Sequence, residues 1–253
     1  MQQRWPDRIW IVRHGESAGN VANIAAQAAR LARIDIPTRD VDVPLSELGQ
    51  QQASALGRWF AAMEPDQRPD TLLVSPYLRA RQTAMHIREA GGMHPQAISE
   101  TDERLREKEL GLLDRLTRYG IEQNFPEQAE LRARVGKFYY RPPCGESWCD
   151  VVLRLRSALD TVSLHHGERR VLIVSHQVVV LCFRYLLETL DETEILAIDG
   201  EGDVANAGVT EYAFDASIGA KGGMALRRYN FTAPMEREGT PVTAEPDAGA
   251  VVR

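Results

Sequence analysis

Three short apolar runs stand out along the chain, at Ile9 to Val12, Thr71 to Val74 and Val171 to Val174. Each is rich in β-branched residues and only four residues long, the pattern of a strand buried on both faces. Between them the period changes to that of helices. Ser17 is placed to cap a helix running through an Ala-rich stretch to about Ala32, and Ile34 to Pro44 reads as a loop. Ser46 caps a second helix from Glu47 to Met63, with Leu48, Ala55, Leu56, Trp59, Phe60 and Met63 along one stripe; Pro65 and Pro69 end it. Ser75-Pro76 opens a third, from Tyr77 to about Glu89, which Gly91-Gly92 stops.

Further on, Ile98 suits a short strand, and Gly111 to Pro143 suits a helical insertion over the strand ends. From Ser147, one helical face carries Val151, Val152, Leu155, Ala158, Leu159 and Val162, ending at His165-His166-Gly167. Two histidines in a last turn most often serve the helix dipole. A helix from Val178 to about Glu188 follows the third strand, and Val209 to Phe214 with Met224 to Tyr229 make a closing hairpin. The alternation predicts an α/β fold, a mainly parallel sheet with helices on both faces, in one domain spanning residues 1–231. Residues 232–253 are polar and rich in Pro and Gly, which predicts an unstructured tail.

Composition narrows the function. The 253 residues carry a net charge of −6, which argues against a nucleic-acid binder working by broad phosphate neutralisation. No run is long enough to span a bilayer and the first residues lack an apolar leader core, so no membrane partner and a cytoplasmic location are expected. Cys144, Cys149 and Cys182 form no C-x-x-C pair and suggest neither a disulfide framework nor a thiolate metal site. Gly200-Glu-Gly202-Asp-Val-Ala205 has the spacing of a dinucleotide fingerprint, but no strand precedes it and its acids would repel a pyrophosphate. Neither a metal nor a cofactor is expected.

The candidate chemistry lies where the strands end. Arg13-His14-Gly15-Glu16 follows the first, Ser75 to Arg79 the second and His176 the third. Open α/β sheets bind ligands just beyond the carboxyl ends of their strands. In a parallel sheet these groups would share one edge, and Arg79 would sit in the first turn of its helix, where backbone N–H groups favour an anion. An imidazole beside guanidiniums suits chemistry on a phosphate, with His14 as nucleophile and Arg13 holding phosphoryl oxygens. Each residue alone also has a bland reading. Arg13 can be a solvated strand end, Arg79 a salt-bridged surface residue (a role that fits Arg81 better), and His176 a core histidine bonded to backbone.

Arg13-His-Gly-Glu-Ser17 with Asn20, Ser75-Pro-Tyr-Leu-Arg-Ala-Arg-Gln-Thr-Ala84, Leu105-Arg-Glu-Lys-Glu-Leu-Gly111, Gly145-Glu-Ser147 and Val174-Ser-His176 together resemble the histidine phosphatase superfamily, over roughly Ile9 to Glu188. That family includes cofactor-dependent phosphoglycerate mutases and many phosphatases. The resemblance implies a small phosphorylated substrate, with His14 the residue phosphorylated in turnover. It implies that Arg13, Arg79 and His176 bind the phosphate, with Asn20 and Ser17 in support. Glu107 becomes the acid that protonates the leaving oxygen, and Glu109 its solvated neighbour. A carboxyl beside a bound phosphate is protonated more readily because of the like charge. Glu16 would hold its loop through hydrogen bonds.

One departure is Gln177, where many members have Gly. His176-Gln-Val-Val, with Gly145-Glu-Ser-Trp-Cys-Asp-Val151, resembles instead the bisphosphatase domain acting on fructose 2,6-bisphosphate. Gln177, Tyr140, Arg141 and Glu146 are therefore candidate substrate contacts, although stiffening by the prolines explains 140–146 equally well. The expected function is hydrolysis of a small phosphomonoester. A phosphoglycerate mutase and a catalytically silent module that binds a phospho-ligand are the alternatives. The insertion before Arg141 is shorter than mutases carry, which favours hydrolysis. The substrate's identity and the oligomeric state are not encoded in any of these patterns.

Overall fold

The computed structural model describes residues 3–244. Its sheet has six strands: β1 (Arg8–Arg13), β2 (Thr71–Val74), β3 (Ile98–Thr101), β4 (Arg170–Ser175), β5 (Val209–Asp215) and β6 (Gly223–Phe231). They lie in the order β3-β2-β4-β1-β5-β6. The first four are parallel, and the β5–β6 hairpin adds antiparallel to β1. The sheet is thus mixed around a parallel centre, within the expected α/β class.

Alternation along the strands builds two cores. Ile9, Ile11, Val171 and Ile173 point to one face, which α6 (Trp148–His165), α7 (Gln177–Leu187) and α8 (Glu192–Glu201) cover. Trp10, Val12, Leu72 and Val174 point to the other, covered by α2 (Glu47–Ala61) and α3 (Leu78–Glu89). These central strands are buried throughout, because helices shield both sides. A third cluster, Leu113, Leu116, Ile121 and Tyr140, holds the insertion with α4 (Arg118–Asn124) and α5 (Pro126–Val135).

Three expectations need correction. The first helix, α1 (Ala18–Ala28), stops short of Ala32. Arg30 turns into the left-handed region, and the chain then pairs with the insertion through Ile34 N–H to the Arg115 carbonyl and Thr117 hydroxyl to the Leu31 carbonyl. Tertiary pairing thus overrides the helix propensity of the alanines. The region between Glu188 and Val209, given no element from sequence, contains α8, capped by Asp191. Gly200 lies inside that helix rather than after a strand, so no dinucleotide loop forms there.

The third correction concerns the tail. Residues 232–244 are ordered: α9 (Ala233–Arg237) buries Met235 against α2, and Gln52 donates to the Pro241 carbonyl and the Thr243 hydroxyl. One methionine and a few backbone hydrogen bonds suffice to anchor a polar segment, and neither makes a periodic signal. Residues 245–253 of the expected tail lie outside the described ones. Among the described residues no helix is long and apolar enough to cross a membrane.

Candidate active site

The parallel register itself assembles the site. Arg13 of β1 is level with Ser175 of β4, so the next residues, His14 and His176, leave adjacent strands side by side. The His14 N–H donates to the Ser175 carbonyl (2.9 Å), and the two imidazole centroids lie 5.2 Å apart, edge to face. Val74 of β2 is level with Val174, which brings Ser75 alongside; its Oγ is 2.8 Å from His176 Nε2. The chain then enters α3, and Arg79 reaches back so that its Nε lies 3.2 Å from His14 Nε2. Arg13, His14 and His176 are fully buried and Arg79 is 2% exposed.

Hydrogen bonds set the protonation of the His14 ring. His14 Nδ1 is 2.6 Å from the Gly15 carbonyl, an acceptor only, so Nδ1 carries the proton. The Nε2 lone pair thereby accepts from the Arg79 Nε–H. The loop is fixed from behind. Ser46 at the start of α2 donates its hydroxyl to Glu16 (2.6 Å), and Gln52 accepts from the Glu16 N–H. Backbones meet so closely here that a Cβ on Gly49 would fall 1.9 Å from the Glu16 carbonyl oxygen, which only glycine avoids. The expectation for Glu16 matches this geometry.

Other expected residues fall into two groups. Ser17 and Asn20 cap α1 reciprocally, Ser17 Oγ accepting from the Asn20 N–H and Asn20 Oδ1 from the Ser17 N–H. Asn20 lies within 3.5 Å of Asn206, which also donates to the His14 carbonyl. Both therefore adjoin the cluster. Glu107, 6% exposed, lines a cavity of about 250 Å3 together with Arg79, Tyr77, Asp40, Lys108 and Glu109.

By contrast, Gln177 donates to Asp203, and Tyr140 is buried in the insertion's core with its hydroxyl donating to Gln128. Arg141 donates to the Gly145 carbonyl and is 65% exposed. Glu146 is held by Arg106 and Arg154 (2.8 and 3.0 Å) and accepts from the Glu109 N–H (3.1 Å). Burial pulls its carboxyl up, but the Arg154 bonds and the neighbouring cations hold it below the usual range. None of these four lines the cavity. In this structure they brace the scaffold around it.

Sequence reasoning missed several residues. Arg13 donates to the Val204 carbonyl (2.5 Å), so the segment after α8 forms part of the wall. Lys108 lines the cavity, and burial, aided by repulsion from Arg132, pushes its ammonium down to about 8 against the pull of Glu107 and Glu146. Tyr77 packs edge-on against His176 and donates to Glu109 (3.0 Å); burial and the charges of Glu109 and Asp40 push its phenol up. Asp114 is raised by burial and by Asp40. Of these, only Lys108 and Tyr77 lay inside quoted motifs, at positions where the sequence says nothing about which way a side chain points.

With this geometry in view, the chain can be compared with known proteins. The model of the histidine phosphatase superfamily (branch 1) matches residues 9–230. The chain belongs to this superfamily. A Caenorhabditis elegans 6-phosphofructo-2-kinase/fructose-2,6-bisphosphatase is 35% identical over 178 residues, 70% of this chain and 33% of that protein. The probable phosphoglycerate mutase GpmB of Yersinia enterocolitica is 32% identical over 72% of this chain and 74% of its own length. Several of the curated relatives are much longer, and the chain spans about a third to a half of their length. Among solved structures, a mycobacterial glucosyl-3-phosphoglycerate phosphatase complexed with VO3 superposes with a TM-score of 0.65. It is 25% identical, over 89% of this chain and 99% of that one. YhfR of Bacillus stearothermophilus gives 0.67 at 26% identity, over 90% and 98%. These structures share the fold over about nine-tenths of this chain.

Proposed function

We propose that this histidine phosphatase superfamily member hydrolyses a small phosphomonoester through a phosphohistidine on His14. One observation carries the reading: a buried imidazole with its Nε2 free of a proton, 3.2 Å from an arginine Nε and beside a second imidazole. A neutral imidazole nitrogen attacks phosphorus at neutral pH without a metal to activate it. Arg13, Arg79 and His176 neutralise charge on the transferring oxygens, the electrostatic device on which phosphoryl transfer depends. Glu107 gives a proton to the leaving alkoxide as the P–O bond breaks. It then takes one from the water that attacks phosphohistidine, so the net reaction converts ester and water into alcohol and inorganic phosphate.

Support for hydrolysis over transfer comes from relatives named as fructose-2,6-bisphosphatases and from solved phosphatases of the same fold. The substrate is taken to be a small phosphorylated molecule. The test is a panel of phosphate esters with wild type and His14→Ala, together with acid-labile 32P labelling. Hydrolysis by wild type alone, with label on His14, is expected. Isomer formation from 3-phosphoglycerate on adding 2,3-bisphosphoglycerate would favour a mutase instead. A wild type that binds esters and never acquires label would favour a silent module.

A further inference from the structure

The phosphate-binding arginine is already engaged by an anion of the protein itself. Arg79 Nη1 donates to Asp40 Oδ1 (3.0 Å) and to the Asp40 backbone carbonyl (2.7 Å), while Nη2 reaches Oδ2 (3.3 Å). The guanidinium is thus gripped by a forked carboxylate on the side away from His14, in the geometry that a phosphoryl group would otherwise use. The two partners differ in their freedom. The Arg79 side chain is 3% exposed on a helix, whereas that of Asp40 is 32% exposed on a single 3-10 turn, Asp40–Asp42. That turn belongs to the irregular segment between α1 and α2, and Asp40 also lines the 250 Å3 cavity beside Glu107.

We propose that Asp40 is an internal competitor for phosphate, a carboxylate that occupies the Arg79 guanidinium until a phosphorylated substrate displaces it. This rests on the phosphatase reading of the site. A dianion entering between His14, Arg13, His176 and Arg79 replaces a single carboxylate charge with two, in a buried setting where charge counts for most. If the carboxylate stays near Arg79 after the ester binds, its repulsion opposes the bound anion in proportion to that anion's charge. Removal of the charge at residue 40 therefore strengthens phosphate binding.

The experiment measures inhibition of p-nitrophenyl phosphate hydrolysis by inorganic phosphate and orthovanadate. The proteins are wild type, Asp40→Asn, Asp40→Ala and, as a control one side chain away, Asp42→Asn. Both Asp40 variants should lower the inhibition constants roughly threefold to tenfold, the range of a partly exposed charge pair. Asp42→Asn should match wild type. Asp40→Asn is nearly isosteric and keeps the test valid if the alanine variant does not fold. An active wild type whose phosphate inhibition is unchanged or weakened in Asp40→Asn overturns the proposal and leaves the phosphatase reading standing. A wild type that neither hydrolyses nor binds phosphate defeats both.

Discussion

The two halves of the site are built on opposite principles. The cluster of Arg13, His14, His176 and Arg79 hangs from the ends of adjacent parallel strands and the first turn of a helix, and is almost wholly buried. The cavity that Arg79 shares with Asp40, Glu107, Lys108, Glu109 and Asp114 is otherwise lined mainly from loops and 3-10 turns. Strand ends are positioned by the cores packed on both faces of the sheet and cannot shift without disturbing it. Loops are positioned by a few ion pairs and hydrogen bonds. The difference puts His14 and the cations around it on the rigid side, and the proposed acid Glu107 with the groups facing a substrate on the adjustable side, as expected where a scaffold presents variable loops.

Substitutions test that division, beginning with the largest effect. His14→Ala should abolish the covalent route, lowering kcat/KM by at least about 10⁴-fold and removing the acid-labile label. Glu107→Gln should slow hydrolysis of esters with poor leaving groups by about 10²–10⁴, and far less for p-nitrophenyl phosphate, whose leaving group needs no proton. Equal loss on both esters would assign Glu107 to structure instead.

Outside the cavity the largest expected effect is on stability. Glu146→Ala leaves Arg106 and Arg154 facing each other, so urea denaturation should show a loss of about 3 kcal/mol. The Glu146 carboxyl is held low in the folded state, so its contribution is present above the unfolded carboxylate range and fades as pH falls through the folded value. Met235→Ala should cost about 2–4 kcal/mol, and a silent substitution there would restore the reading of an unstructured tail.

The smallest effect belongs to Lys108. Its ammonium titrates near 8, so the cavity carries that positive charge below this pH and loses it above. Wild-type KM for a phosphomonoester should rise roughly threefold as pH passes through 8, by loss of one partly screened attraction. Lys108→Met should show the higher KM already at pH 7 and a flat profile. Folding has the opposite dependence. The unfolded lysine keeps its proton up to about 10.5, so stability should increase between 8 and 10.5 in wild type and not in the variant.

How much of this was written in the sequence follows the same division. The three central strands and the helices after them were legible, because burial on two faces leaves an unbroken apolar run and burial on one face leaves a stripe. Arg13, His14, Ser75 and His176 stood out for a related reason: polar residues at the end of a core strand have no packing role to explain them, and Arg79 stood out by its place in the first turn of the next helix. The early stop of α1, the existence of α8 and the order in 232–244 were not. Each depends on partners far along the chain, such as Arg115 for Ile34 and Gln52 for Pro241 and Thr243. The same is true of Glu146, whose place among motif residues suggested a substrate contact while two arginines claim its carboxylate.

Sequence alone determined which side chains reach the sheet's edge, since strand period and motif position are local properties. Only the tertiary structure decided that the register of β1 on β4 sets two imidazoles side by side, and that a carboxylate from the loop at Asp40 faces the arginine beside His14. Register and loop placement are outcomes of contacts between residues tens to hundreds of positions apart, and no pattern within a window records them.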